Sequence, residues 1–101
     1  MKELNKEQLY DLSQFYRMFS DPTRIKIMLA LNQNKLCVGE IAEQLKMTQS
    51  SISHQLQTLR YANLVRYEKV GKEAYYYLAD DHIKIILNYG IEHTLEGGRY
   101  E

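Results

Sequence analysis

The spacing of apolar residues changes once along this chain, and that change sets the order of its secondary structure. Up to about Asn63 apolar positions such as Leu9 and Leu12 recur at helical spacing. Beyond Asn63 they alternate with their neighbours as strands require, and residues 80–96 are again of helix length. With a single proline, Pro22, and few glycines, little interrupts the helices. We therefore expect a mainly α fold with a small β-hairpin, in the order ααααββα.

Capping residues place the boundaries of these elements. Asp21 precedes Pro22, and proline suits the first position of a helix. Thr48 precedes another segment whose apolar residues have helical spacing. Gly71 marks the tip of the hairpin. The expected elements are helices over about 5–19, 22–32, 38–45, 48–61 and 80–96, and a hairpin over about 64–79. Residues 1–101 are then one small domain, or one half of an obligate dimer.

Composition excludes several classes of protein. The single cysteine, Cys37, rules out an internal disulfide and any Cys-paired zinc motif. No stretch is long and apolar enough to span a membrane, and the amino terminus lacks the apolar core of a signal peptide. We expect a cytoplasmic protein with no membrane partner. Nothing suggests an organic cofactor.

Charge is segregated along the chain although the formal net charge is zero. Residues 44–67 carry three basic side chains and no acidic one, whereas residues 80–101 carry five acids and two bases. A mildly basic middle segment is compatible with nucleic acid, although chance patterning of a solvated surface would look similar.

Residues 38–61 have the pattern of a helix-turn-helix, in which the second helix leaves its outer face free. Short, uncharged, hydrogen-bonding side chains on that face suit base edges in the major groove. Ordinary polar helix faces carry Glu and Lys instead, because those residues favour helix. The predicted base-reading residues are Gln49, Ser50, Ser51, Ser53, His54 and Gln57. The predicted phosphate contacts at the periphery and on the hairpin are Arg60, Arg66, Lys69 and Lys72.

Two of the three histidines, His82 and His93, lie in the last helix. Eleven positions bring them within about 20° on one helix face but roughly 16 Å apart along the axis. An ion holds its ligands at about 2 Å and cannot contact both. If two copies of the helix lie antiparallel, Asp80 and His82 of one meet His93 and Glu96 of the other. Symmetry then creates two identical sites, with the axis near residues 87–88.

Two imidazoles and two carboxylates suit tetrahedral Zn²⁺ or Co²⁺, whereas Ni²⁺ prefers more ligands. Four protein ligands close the site, so it is not catalytic. Asp80 and His82 can bind one ion only if Asp80 lies at or before the helix cap; Asp81 is the alternative ligand. An apolar stripe on the same helix is expected to pack the dimer, formed by Ile83, Ile86, Leu87 and Gly90.

Four stretches of the chain resemble the ArsR/SmtB family of dimeric, metal-sensing, winged-helix repressors. They are FSDPTR at 19–24, LCVGEIA at 36–42, TQSSISHQL at 48–56, and the pattern of Asp80, His82, His93 and Glu96. The resemblance implies that Asp80, His82, His93 and Glu96 form the family's terminal-helix site, which senses zinc and in some members cobalt or nickel. The family's thiolate site is expected to be absent or crippled, because Cys37 matches its first cysteine but Gly39 replaces the second.

The resulting hypothesis is a homodimeric repressor that binds a palindromic operator and is released when Zn²⁺ bridges the terminal helices. The direction of that switch is implied by the resemblance alone. The alternative is a winged-helix regulator whose terminal helix only dimerises and which responds to another signal. An enzyme is not expected, because no open coordination position, pocket-bound base or nucleophile motif is present.

Overall fold

The computed structural model describes residues 3–97 and contains the expected order of elements. The elements are α1 (Lys6–Arg17), a 3₁₀ turn (Met18–Ser20), α2 (Pro22–Gln33), β1 (Leu36–Cys37), α3 (Val38–Leu45), α4 (Gln49–Tyr61), β2 (Val65–Val70), β3 (Glu73–Leu78) and α5 (Asp81–Glu96). The winged helix-turn-helix fold is thus confirmed. The expected domain, 1–101, extends beyond the described residues at both ends. Across residues 3–97, none of the helices has the length and apolar character needed to cross a bilayer.

The helices begin where the capping residues predict. Asp21 Oδ2 accepts the backbone N–H of Arg24 at 2.9 Å, and Pro22 follows as the first residue of α2. Thr48 Oγ1 accepts the backbone N–H of Ser51 at 3.1 Å and starts α4. Each cap satisfies a donor that a helix leaves free at its first turn.

The turn between α3 and α4 is tight because one residue adopts the left-handed conformation. Lys46 has φ 56° and ends α3, and its backbone N–H is directed back to the carbonyl of Glu43 at 3.3 Å. Met47 N–H donates to Ala42 at 3.0 Å. These bonds satisfy the last carbonyls of α3 and leave only a short connection before α4, as a helix-turn-helix requires.

The sheet has three antiparallel strands in the order β1-β3-β2. The hairpin pairs Val65 with Leu78 at its root and Val70 with Glu73 at its tip. Gly71 has φ 65°, which a two-residue hairpin turn demands and which glycine adopts at little cost. Strand β1 was not expected, because a two-residue strand has no periodicity to detect. Strand β1 joins the N-terminal end of α3 to the hairpin.

One hydrophobic core joins α2, α3, α4, the sheet and one side of α5. Its fully buried side chains include Ile27, Met28, Ile41, Ile52, Leu56, Leu59, Leu64 and Ile83. Helix α1 contributes no buried residue of its own, although its Phe15 packs against the edge of this core. The apolar residues of α1 are therefore largely unpartnered within one chain.

The expected dimer stripe on α5 needs a correction. Ile83 is 2% exposed and Leu87 5%, and both belong to the core of their own chain. They fix α5 against the domain and are not free for a partner. Of the four expected residues, only Ile86, which is half-buried, and Gly90 remain accessible. The error arises because the sequence does not show which side of an apolar helix meets its own domain.

Candidate metal centre and nucleic-acid interface

Helix α4 presents the polar face that was expected to read DNA. Ile52, Leu56 and Leu59 are completely buried and hold one side of α4 against the core. The opposite side is left to solvent. Its exposed members are Gln49, Ser50, Ser53, His54 and Gln57, and Ser51 is half-buried. These side chains form one continuous surface whose donors and acceptors suit base edges.

Gln57 has a partner that sequence reasoning missed. Its Nε2 donates to the hydroxyl of Tyr61 at 2.7 Å, one helical turn further along α4. Tyr61 is 69% exposed, so the pair stands on the surface. The i, i+4 spacing of Gln57 and Tyr61 could have suggested this contact.

The hairpin, which we call the wing, carries the other predicted cations. Arg66, Lys69 and Lys72 are all exposed. The only acid between them on β2, Glu68, is bound to Lys35 Nζ at 3.0 Å. This ion pair neutralises Glu68, so the three cations outnumber the one remaining carboxylate of the wing, Glu73, although such an exposed pair adds little stability.

Arg60, at the end of α4, lies between aromatic rings. Its Cζ is 5.4 Å from the ring centre of Tyr61 and 5.3 Å from that of Tyr67 on β2. The Tyr67 ring in turn lies 5.3 Å from that of Tyr76 on β3. Both distances from Arg60 fall within the range of a cation–π contact. Tyr76 therefore lies behind this cluster.

Burial raises the pKa of the Tyr76 hydroxyl above 10.0, because the phenolate would lose hydration. The positive charge of Arg60 lowers it and Tyr67 raises it, with burial the largest effect. Tyr76 therefore stays neutral and its ring packs as part of the wing.

The carboxylate of Asp80 lies at the cap of α5, which is the condition for Asp80 and His82 to share an ion. Asp80 has φ −160° and ψ 177°, outside helical geometry, and its side chain accepts the N–H of His82 at 2.9 Å and of Ile83 at 3.3 Å. The imidazole of His82 is 87% exposed. Asp81 begins the helix itself and is also exposed.

His93 and Glu96 lie near the other end of α5, and both are exposed. Within residues 3–97 of one chain, no three His, Cys, Asp or Glu side chains come close enough together to hold an ion. The four expected ligands are therefore not brought together by one chain. His82 and His93 still share a face of α5, so an antiparallel copy of the helix would pair the two ends.

Cys37 does not have the surroundings of a metal ligand. It is buried at the start of α3, where its backbone N–H donates to Glu40 Oε1 at 3.0 Å. Gly39, in the position of the second thiolate, is next to Gln49 of α4. The charges of Cys37 and then Glu40 raise the pKa of Tyr75, which faces Cys37 across the sheet.

An apolar groove runs between α5 and the junction of α1 and α2. Its walls include Tyr16, Phe19, Ile25, Ile86, Ile91 and Leu95. On the outer side of α1, Leu9 is 54% exposed, Leu12 42% and Tyr16 55%. Exposed apolar area on this scale indicates a surface for another protein.

A helix-turn-helix with an exposed polar second helix and a cationic wing defines a DNA-binding transcriptional regulator, not an enzyme. Residues 21–67 match the family described as bacterial regulatory protein, arsR family. The chain is 37% identical over 90 residues to a transcriptional repressor SmtB homolog of Synechocystis, covering 89% of this chain and 68% of that protein. The chain therefore belongs to the ArsR/SmtB family of metal-sensing transcriptional repressors.

A second relative and a solved structure are also similar to the chain. The chain is 32% identical to a cadmium resistance regulatory protein CadC homolog of Staphylococcus aureus, over 94% of this chain and 79% of that protein. Its fold matches the homodimeric winged helix-turn-helix DNA-binding domain of a possible ArsR-family regulator from Mycobacterium bovis. That likeness has a TM-score of 0.87 at 20% identity and covers all of this chain and 96% of the other.

Proposed function

We propose that this protein is a homodimeric repressor that binds a palindromic operator in the cytoplasm and leaves it when Zn²⁺ bridges the two α5 helices. The observation that carries the proposal is the position of Asp80 at the cap of α5, beside an exposed His82. This geometry lets the two side chains face one ion. The cadmium resistance regulator among the relatives supports a response to divalent metal.

Dimerisation is supported by the unpartnered apolar residues of α1 and α5. Leu12 and Tyr16 on α1, and Ile85, Tyr89 and Leu95 on α5, are all exposed. The Mycobacterium bovis domain of the same fold is described as homodimeric. Burying these residues in a symmetric interface would bring two copies of α5 together. Ile86 and Tyr89 lie between His82 and His93 on the ligand face and would occupy the two-fold axis.

The donor set fits the proposed ion. Two imidazole nitrogens and two carboxylate oxygens, from Asp80 and His82 of one copy and His93 and Glu96 of the other, match tetrahedral Zn²⁺ or Co²⁺. Ni²⁺ would need further ligands. With every position filled by protein, the ion would join the two chains and would activate no water.

On DNA, the exposed residues Gln49, Ser50, Ser53, His54 and Gln57 and the half-buried Ser51 would read bases, and Arg66, Lys69 and Lys72 would contact phosphates. In a two-fold dimer the two α4 helices would enter major grooves about 34 Å apart. An ion that fixes α5 against its copy would favour an orientation that loses this spacing. If metal weakens DNA binding, DNA must weaken metal binding by the same factor.

The inter-chain site is tested by mixing two defective variants. His82→Ala and His93→Ala each break both sites of a homodimer. In a mixed dimer the two substitutions fall in the same site, and the other site has all its ligands. Co²⁺ titration should show intense tetrahedral bands for the natural protein and none for either variant. After unfolding and refolding together, about a quarter of the band intensity should return, because half of the dimers regain one of two sites.

His54→Ala is the matched control, since His54 lies on α4 and should leave the bands unchanged. No recovery on mixing would overturn the inter-chain site. Operator release is measured separately by fluorescence anisotropy, with a duplex selected from random sequences by the metal-free protein. If Zn²⁺ does not change the DNA affinity, the release mechanism is wrong and the protein is a regulator whose terminal helix only dimerises.

A further inference from the structure

Strand β2 is an edge strand of the sheet and is little buried beyond the root of the wing. Of the residues of β2, only Val65 is buried, and the rest of the strand is exposed. Alternate residues of a strand face opposite sides, so Tyr67 and Glu68 point away from each other. On one side Glu68 is bound to Lys35, and on the other Tyr67 meets Arg60 of α4. Strand β2 makes these two contacts outside the hairpin, and the ladder of β3 with β1 at Tyr75 and Tyr76 holds the other strand of the wing.

Arg60 has the surroundings of an anchor. Its guanidinium lies within 5.4 Å of two ring centres, and the second ring, Tyr67, is itself packed against Tyr76. In the part of the chain that the structure describes, Arg60 forms no ion pair with a carboxylate. The rings are thus the contacts that orient its side chain. A planar guanidinium stacks on aromatic faces in a way that a lysine does not.

We propose that Arg60 and Tyr67 form a clamp that sets the position of the wing relative to the recognition helix, so that Arg60 is a positioning residue for DNA binding. Because Arg60 is on the last turn of α4 and Tyr67 is on β2, the contact joins the two elements that must fit the duplex together. This assignment rests on the proposed DNA-binding function and changes the role that the sequence predicts for Arg60, a phosphate contact.

Salt dependence separates the two roles. Each phosphate contact contributes about 0.9 to the slope of log affinity against log salt concentration, and a dimer loses two contacts with each substitution. Arg66→Gln is the matched control, because Arg66 is an exposed arginine on β2 beside Tyr67 and forms none of the cation–π contacts of the described structure. It should flatten the slope. Arg60→Gln should leave the slope unchanged while lowering affinity about three- to tenfold.

The experiment measures anisotropy of the selected, labelled duplex over a series of KCl concentrations. Tyr67→Leu should reproduce the loss seen with Arg60→Gln, and the double variant should be no worse than either. Tyr67→Phe keeps the ring and should bind like the natural protein. A slope reduced in Arg60→Gln as in Arg66→Gln would overturn the clamp, and so would additive losses.

A second measurement uses the protein without DNA. Amide hydrogen exchange across β2 and β3 should be faster in Arg60→Gln and Tyr67→Leu but unchanged in Arg66→Gln. Equal exchange in all of them would overturn the clamp. If the natural protein selects no duplex, the proposed function fails, and the exchange rates still decide whether the clamp exists. Circular dichroism melts confirm that each variant is folded.

Discussion

The imidazole Nδ1 of His82 lies 3.5 Å from Oδ1 of Asp80, at the first turn of α5. The same oxygen accepts two backbone N–H groups and so caps the helix. Among the contacts of residues 3–97, Oδ2 of Asp80 takes part in no hydrogen bond. One carboxylate therefore has an oxygen committed to the helix and another available for an ion. The two roles can be separated by substitution.

Asp80→Asn should keep the cap and lose the metal. An amide oxygen still accepts from the helix N-terminus, so the melting temperature without metal should hardly change, whereas Asp80→Ala should cost about 1 kcal/mol. Both variants remove the carboxylate, and Co²⁺ affinity should fall about tenfold or more. Asp81→Asn is the control that distinguishes the two possible ligands. If Asp81→Asn abolishes the Co²⁺ bands and Asp80→Asn retains them, the ligand is Asp81.

Leu12→Lys should separate the dimer. Leu12 is 42% exposed and is not among the residues packed against the core of its own chain, so a lysine there leaves the fold of the monomer intact. Burial of a leucine contributes about 1.5–3 kcal/mol, and symmetry counts it twice, so the dimer should weaken about a hundredfold or more. Sedimentation equilibrium measures this. Asp11→Lys, at an exposed position of the same helix, should leave the dimer unchanged; a Leu12→Lys protein that dimerises as tightly as the natural one would exclude Leu12 from the interface.

Gly90→Ala probes how closely the copies of α5 approach. A Cβ at Gly90 would meet nothing within 4 Å in one chain. Alanine favours helix by about 1 kcal/mol over glycine, so the monomer should be stabilised. If a partner helix contacts this position, the dimer should weaken at the same time. Melts of the Leu12→Lys background and sedimentation of the Gly90→Ala protein give the two quantities. If the substitution does not change the affinity of the dimer, Gly90 faces open space in the dimer as well as in the single chain.

Tyr76 should make stability fall at alkaline pH. Its pKa is raised above 10.0 in the folded protein, chiefly by burial, so the folded state keeps a proton that the unfolded chain loses. This contribution is complete below pH 10 and is lost as pH rises through the folded pKa. Urea unfolding of the natural protein and Tyr76→Phe should give a smaller loss between pH 9 and about 11 in the variant. In Arg60→Gln, NMR of ring-labelled tyrosine should show the Tyr76 pKa rising further.

The helices were predictable because their start signals are local. Asp21 and Thr48 cap the helices that the sequence assigns to them, and α3 occupies the expected residues 38–45. The two-residue strand β1 could not be found, because its only signal is the partner strand β3. The prediction that Ile83 and Leu87 of α5 pack the dimer was wrong for a related reason. The apolar pattern of a helix does not show whether that side packs against its own domain or against a second copy.

The candidate site was likewise predictable where its signals are local and not where they depend on packing between elements. The sequence set a condition for Asp80 and His82 to share an ion, namely that Asp80 lies at or before the cap, because two positions are about 200° apart around a helix; Asp80 is the cap of α5. The outer face of α4 followed from helical spacing. The contact of Arg60 with Tyr67 depends on where the wing packs, and no spacing within one element encodes that distance.

Strand β3 has neighbours on both edges, and through Ala79 it leads directly into Asp80. The N–H of Ala79 is also bonded to the carbonyl of Leu64, at the root of the opposite strand, at 2.9 Å. A strand fastened along both sides cannot slide without breaking its ladder. The first turn of α5 is thus joined directly to a strand that is paired on both edges. A displacement of that turn would act directly on β3 and, through its ladders, on β1 and β2.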